Sequence, residues 1–154
     1  MKLNKIPNLL KQCDVIAELS KDEEMKVGGI LIDPKSMAQL TTGYNSFVRN
    51  APDDKLPTKR PEKYEFILHC EQNIITNAAR NGICTQGKVL VTNLSPCHSC
   101  ARLLYQAGIS EVYFKNLYRI YKESDLFIDL NDLYLSITDF GYFKKMDIYT
   151  ENEE

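Results

Sequence analysis

Residues 88–115 read KVLVTNLSPCHSCARLLYQAGISEVYFK and decide the fold class. The continuous apolar run at 88–92 is typical of a buried strand, and the segment 97–107 has helical spacing and ends before Gly108. A second apolar run, at 111–115, is typical of another strand. A strand, a helix and a strand in this order predict a β-α-β unit whose two strands are parallel.

The flanking segments extend this unit into a layered α/β domain. Pro7 suits the first turn of an opening helix, and the apolar runs at 27–33 and 37–45 predict two strands joined as a hairpin by a turn at Asp33-Pro34-Lys35-Ser36. We expect further helices at about 65–81 and over most of 124–140, and a last strand at 145–149. These elements predict a single domain over residues 1–154, a three-layer α/β/α sandwich around a mixed five-stranded sheet that begins with an antiparallel hairpin.

The composition is typical of one compact soluble domain. The chain has 154 residues, of which 44% are hydrophobic and 26% charged, and its formal net charge is −2. This charge argues against a surface that binds polyanions, so we expect no polynucleotide partner. No apolar run approaches the roughly 20 residues that cross a bilayer, and the amino terminus lacks the apolar core of a signal peptide. We therefore expect a cytoplasmic protein with no membrane partner.

The cysteines point to a metal site. There are five of them, and in a reducing compartment cysteines are more often metal ligands or buried apolar residues than disulfides. A chain of this length can bury enough surface to fold without a metal, so a bound metal would indicate function.

Two short motifs carry the chemistry. His69-Cys70-Glu71 and Pro96-Cys97-His98-Ser99-Cys100 together offer one imidazole and two thiolates as ligands. Three protein ligands, His69, Cys97 and Cys100, leave the fourth tetrahedral position of Zn²⁺ open, which is the arrangement of a catalytic site. We expect His69 in the early turns of one helix and both cysteines on one face at the start of another, where free N–H groups favour thiolate.

Glu71 is the predicted catalytic acid and base. It lies two residues from His69 and so points to a different side of the helix, where it can carry protons without binding the metal. H-x-E together with P-C-x-x-C is the signature of zinc-dependent nucleobase deaminases, in which zinc lowers the pKa of water and the glutamate shuttles the proton.

Other interpretations of the same residues stay open at this point. The C-x-x-C pair could be a redox pair, although that would leave Pro96 and the distant H-x-E motif unexplained. A structural zinc site could use His98 or Cys70 as a fourth ligand. Cys13 and Cys84 lie on apolar stripes and are expected to be core residues.

The match extends beyond the ligands. SKDEEMKVGGILID followed by TTGYN, then EKYEFILHCEQNII, then VLVTNLSPCHSCARLLYQAGISEVYF together cover most of residues 14–119. These blocks resemble the deoxycytidylate (dCMP) deaminases of the cytidine deaminase superfamily, in the short form that many phages carry. The resemblance implies zinc-dependent hydrolysis of dCMP to dUMP and ammonia in deoxypyrimidine nucleotide supply, in the host cytoplasm if the protein is phage-encoded.

The resemblance also implies roles for individual residues. Zinc would lie on His69, Cys97 and Cys100, with Glu71 as the proton shuttle. Asn45 and Tyr118 would contact the nucleotide, although an asparagine that ends a strand can equally serve the turn. Family members bind the 5′-phosphate, for which Arg49 and Arg60 are our candidates. Other available cations are Lys59, Arg102 and Arg119.

Many members of the family are hexamers controlled by dCTP and dTTP, so the resemblance implies a homo-oligomer and these two effectors. Ser46 stands where the family has a glycine next to the control loop, and Cys70 stands between His69 and Glu71 where the family has alanine. Two other functions stay open: a deaminase for another nucleoside or nucleotide, including adenosine in tRNA, and a non-catalytic zinc-stabilised binding module. The acidic pI of 5.8 argues against tRNA.

Overall fold

A computed structural model describes residues 1–118 and 136–148. Within these residues three α-helices and six strands follow one another, with short 3₁₀ turns at Leu3–Lys5, Asp53–Lys55 and Glu62–Glu65. The elements are α1 (Ile6–Ala17), β1 (Gly28–Ile32), β2 (Gln39–Tyr44), α2 (Cys70–Arg80), β3 (Val89–Leu94), α3 (His98–Gln106), β4 (Glu111–Asn116), β5 (Ser136–Phe140) and β6 (Phe143–Asp147).

The strands form one mixed sheet in the order β2-β1-β3-β4-β6-β5. β3 and β4 are parallel and connected through α3, which confirms the predicted β-α-β unit. β1 and β2 form the predicted antiparallel hairpin, whose turn is held by the Asp33 carboxylate accepting the N–H groups of Lys35 and Ser36. Beyond β4 the sheet continues with a second antiparallel hairpin of β5 and β6, in which β6 pairs antiparallel with β4.

Helices cover both faces of the sheet, so the three-layer α/β/α prediction is confirmed. α1 packs on one face through Ile6, Leu9 and Cys13, against a cluster that includes Val91 and Tyr113. α2 and α3 pack on the other face in a second apolar cluster, whose members include Ile74, Ala78, Leu104, Leu31, Leu90 and Phe114.

Close approach of α1 to β1 requires a glycine at position 28. A Cβ atom there would lie 2.3 Å from the carbonyl oxygen of Cys13, far inside van der Waals contact. This helix therefore lies directly on the strand that leads from the loop at residues 20–27, a segment that also borders the functional site described below.

Two predicted helices differ from the structure. The helix expected at 65–81 begins only at Cys70, because residue 68 is held in an extended bridge to Ser46. The helix expected over most of 124–140 is wrong at its end, because Ile137 and Thr138 extend and pair with β6. Residues 119–135 lie outside the described residues. The additional strand makes the sheet six-stranded instead of five-stranded.

The last predicted strand is confirmed, with its bounds shifted to Phe143–Asp147. Across residues 1–118 and 136–148, no helix combines the length and the apolar character that a bilayer crossing requires.

Candidate metal centre and substrate cavity

His69, Cys97 and Cys100 come together at one end of the sheet. The His69 Nδ1 atom lies 3.5 Å from the Cys97 Sγ atom and 3.3 Å from the Cys100 Sγ atom, and all three ligand atoms lie within 4.8 Å of one another. Ligands at ordinary Zn–N and Zn–S bond lengths around a tetrahedral centre are about 3.5–3.8 Å apart. The residues present therefore fit zinc, and within the part of the chain that the structure describes this is the one such cluster.

Helix N-termini position the trio. His69 is the N-cap of α2, where its backbone N–H donates to Gln72 Oε1 at 2.8 Å, and Cys97 is the N-cap of α3, where its sulfur accepts the N–H of Cys100 at 3.5 Å. The prediction placed His69 in the early turns of this helix, but α2 begins at Cys70, so His69 lies just before it. The N-terminus of α3 directs the N–H of Cys100 and the positive end of the helix dipole toward the Cys97 sulfur, which favours thiolate.

The Cys97 and Cys100 thiols differ in pKa, and the lowered pKa of Cys97 favours binding of a cation by the trio. The pKa of Cys97 is lowered to about 4, first by the hydrogen bond from the Cys100 thiol and then by the contact with His69. The pKa of His69 is raised, first by its hydrogen bond with Cys97. The pKa of Cys100 is raised, first because its thiol donates a hydrogen bond to Cys97 and then by burial. The contacts around Cys97 therefore favour its thiolate form, which is the form that binds metal ions.

Glu71 lies beside the trio without joining it. Its side chain is 4% exposed, and burial raises the pKa of its carboxyl group. It lines the same cavity as His69 and Cys97 but is not among the three residues whose ligand atoms cluster. A carboxyl group whose pKa is raised by burial holds a proton more readily than an exposed one, which suits a general acid and base.

His69, Cys97 and Glu71 border a cavity of about 80 Å³, called the inner cavity below. A second cavity of about 310 Å³, called the outer cavity below, adjoins it. The two cavities share the wall residues Met25, Arg60, Leu94 and Tyr118. The walls of the inner cavity come from the loop at residues 20–27, the end of β2, the loop at residues 46–69, and the segments that follow β3 and β4. These shared residues connect the inner cavity at the metal centre with the outer cavity.

Asn45 lines the inner cavity, and its amide group is also bound to the protein. Its Nδ2 atom donates to Met25 O at 2.8 Å and to Asp22 Oδ2 at 3.3 Å, and its Oδ1 atom accepts the Val27 N–H at 2.9 Å. Asn45 therefore fixes the loop before β1 against the end of β2. Contact with a nucleotide stays a prediction, for which the second lone pair of Oδ1 remains.

Tyr118 and Arg60 also line the cavity, whereas Arg49 does not. The Tyr118 N–H donates to Ser95 Oγ at 2.6 Å, which fixes the chain after β4. Arg49 lies in a separate groove of about 730 Å³ along α2, where its guanidinium donates to Asn77 Oδ1. Of the other predicted cations, Lys59 and Arg102 are exposed and line neither cavity, and Arg119 lies outside the described residues.

Sequence reasoning missed Asp22, Lys63 and Ser95 in the cavity wall. Ser95 directly precedes the P-C-x-x-C motif, so its position next to this motif could have indicated that it lies at the site. Asp22 and Lys63 form a buried ion pair across 41 residues, and no local spacing indicates it.

A mixed sheet between helices, with a His-Cys-Cys trio at two helix N-termini and a buried glutamate beside it, defines the class of zinc-dependent nucleobase deaminases. The family model described as "Cytidine and deoxycytidylate deaminase zinc-binding region" matches residues 3–116. The chain belongs to this family, as the resemblance predicted, and zinc is its cofactor.

Named relatives agree with this assignment. A probable deoxycytidylate deaminase of Drosophila melanogaster is 35% identical over 109 residues, which cover 64% of this chain and 52% of that protein. The deoxycytidylate deaminase of Homo sapiens is 35% identical over 104 residues, covering 64% and 57%. The chain thus spans little more than half the length of these curated relatives.

Solved structures share the fold. The dCMP deaminase of cyanophage S-TIM5 in complex with dCMP and dUMP has a TM-score of 0.66 and 28% identity, covering 78% of this chain and 87% of that one. The apo form of the same enzyme has a TM-score of 0.67 and 26% identity, covering 86% and 94%.

Proposed function

We propose that the protein is a zinc-dependent deaminase that hydrolyses dCMP to dUMP and ammonia. The observation that carries this proposal is the geometry of His69, Cys97 and Cys100 with Glu71 buried beside them, in a chain similar to named dCMP deaminases. The reaction balances as dCMP plus water giving dUMP plus ammonia, so no further reactant is needed.

His69, Cys97 and Cys100 would hold the zinc ion. Zinc bound there supplies a Lewis acid that makes water a good nucleophile near neutral pH. Glu71 accepts the first proton that the water loses and delivers it to the ring nitrogen next to the reacting carbon. It then takes the second proton from the hydroxyl group added to that carbon and gives it to the amino group, so that the C–N bond breaks, ammonia leaves and the carbonyl forms. The buried position of Glu71 keeps bulk water away from this proton path.

The remaining walls of the cavity suit a nucleotide. Asn45 offers an amide oxygen, and Tyr118 lies where the inner cavity meets the outer one. Arg60 lines both cavities, and its Nε atom is buried without a hydrogen-bond partner. We assign the 5′-phosphate to Arg60, because a charge-assisted bond to phosphate would satisfy this donor.

The arginine variants test this assignment. Arg60→Ala is expected to raise the KM for dCMP by about tenfold or more and to leave deoxycytidine nearly unaffected, because only the nucleotide carries the phosphate. Arg49→Ala is the matched control, since it removes the same charge from the separate groove along α2. Steady-state kinetics on both substrates decides the matter. If the wild type and Arg60→Ala prefer dCMP over deoxycytidine to the same extent, the phosphate is bound by other residues.

Substrate choice is tested by a panel. Ammonia release from dCMP, dCTP, deoxycytidine, cytidine, single-stranded DNA and tRNA is measured side by side. We expect dCMP to have the highest kcat/KM, because Arg60 in the cavity wall has an Nε atom without a hydrogen-bond partner and the chain has a net charge of −2. A higher value for a nucleoside or for tRNA would favour the alternative deaminases.

The assembly and its effectors complete the proposal. We expect a homo-oligomer, as the resemblance implies. Tyr64 in the wall of the inner cavity and Phe66 two residues later are both about half exposed, which is compatible with cover by a neighbouring subunit. Light scattering at micromolar concentration is expected to give a mass well above the 17.7 kDa of one chain. A stable monomer would contradict this. Hexamer formation, control by dCTP and dTTP, and a cytoplasmic location stay predictions.

A further inference from the structure

A buried ion pair borders the cavity and has no part in the chemistry above. Lys63 Nζ lies 2.9 Å from Asp22 Oδ2 and 3.0 Å from Asp22 Oδ1, and both side chains are 3% exposed. Burying two charges is costly in free energy and often contributes little net stability. A pair retained at the wall of a substrate cavity therefore points to a role in the cavity.

The Asp22 carboxylate is fixed by several hydrogen bonds besides its ion pair with Lys63. Its carboxylate accepts the N–H groups of Glu24 and Met25 at 2.8 and 3.0 Å, and it also accepts Asn45 Nδ2. Lys63 thus ties the loop at residues 20–27 and the end of β2 to the loop that carries Arg60.

Lys63 also holds a second carboxylate. Glu24 Oε1 lies 3.4 Å from Lys63 Nζ, and the same oxygen accepts the backbone N–H of Arg60. The Glu24 carboxylate is therefore fixed to the Arg60 backbone and to Lys63. Among the residues that the structure describes, no carboxylate lies within ion-pair distance of the Arg60 guanidinium.

We propose that Lys63 is a positioning residue for Arg60: by pairing with Asp22 and Glu24 it keeps both carboxylates from neutralising the Arg60 guanidinium, which stays available to the substrate phosphate. This inference rests on the proposed dCMP deaminase function. The four groups carry two positive and two negative charges. Loss of Lys63 leaves an excess negative charge at the cavity wall and frees Glu24 to pair with Arg60, and both effects oppose a phosphate dianion.

The test compares a charged and an uncharged substrate. In Lys63→Met we expect the KM for dCMP to rise about tenfold with kcat little changed, and the kinetics on deoxycytidine to change by less than about twofold. Lys63→Met leaves the Asp22 carboxylate buried without its partner, and this alone can prevent the variant from folding. The double variant Asp22→Asn/Lys63→Met removes both charges, so it provides the test if the single variant does not fold. We expect the same selective rise in the KM for dCMP in the double variant. Lys115→Met is the matched control, because Lys115 is 49% exposed and pairs with Asp14, a residue outside the lining of both cavities.

A rescue variant separates charge from structure. Adding Glu24→Gln to either Lys63 variant removes the freed carboxylate but keeps an acceptor for the Arg60 N–H, so we expect most of the dCMP preference to return. Equal losses on dCMP and deoxycytidine, or no rescue by Glu24→Gln, would overturn the inference and indicate a structural role only. A wild-type protein that does not deaminate dCMP would instead overturn the proposed function, and this inference with it.

Discussion

Replacing Cys97 or Cys100 with alanine is expected to remove the metal and abolish turnover. Either change leaves two protein ligands, and the sulfurs supply two of the three donors in the cluster. The wild-type protein should carry about one zinc per chain, and each variant should carry little. Metal analysis of the purified proteins, with ammonia release from dCMP measured on the same samples, checks both statements.

Cys84→Ala is the matched control for these variants, because Cys84 lies outside the metal cluster and is exposed. The prediction that Cys84 is a core residue is wrong, whereas Cys13 is buried as predicted. The Cys84→Ala protein should keep both zinc and activity. The fold of the Cys97 and Cys100 variants should persist, because the two apolar clusters that flank the sheet do not depend on a metal. Full zinc retention in both cysteine variants would contradict the assignment of the ligands.

Glu71→Gln is expected to keep zinc and lose turnover by about 10²–10⁴-fold, which is the usual contribution of a general acid and base. Glutamine preserves the shape of the side chain in its buried position but cannot carry a proton. Single-turnover measurements on dCMP, together with the zinc content, separate the loss of chemistry from a loss of metal.

Glu65→Gln is the control for charge alone, since Glu65 is an exposed acid in the turn before α2. Its turnover should match the wild type. Turnover close to that of the wild type in Glu71→Gln would favour a zinc-stabilised binding module, in which Glu71 has no catalytic role.

The sequence indicated the metal cluster because its signal is local. Cys97 and Cys100 are three residues apart, and His69 and Glu71 are two residues apart. The spacing within each motif indicates a pair of residues near the start of a helix, which is where both pairs lie in the structure. The β3-α3-β4 unit was equally readable, since buried parallel strands are continuous apolar runs.

Other features depend on distant contacts and left no such signal. The late start of α2 depends on the bridge between Ser46 and Leu68, and the strand character of residues 136–140 depends on pairing with β6. The Asp22–Lys63 pair joins two charged stretches that look solvent-exposed in the sequence. Arg49 and Arg60 flank one loop in the sequence, yet they line different cavities, because the loop turns between them.

The most direct test of the central claim is product analysis of the wild-type, zinc-loaded protein incubated with dCMP. The account predicts that dUMP and ammonia form in equal amounts and that dCMP is consumed to the same extent. Recovery of unchanged dCMP from a folded protein that carries about one zinc per chain would contradict it.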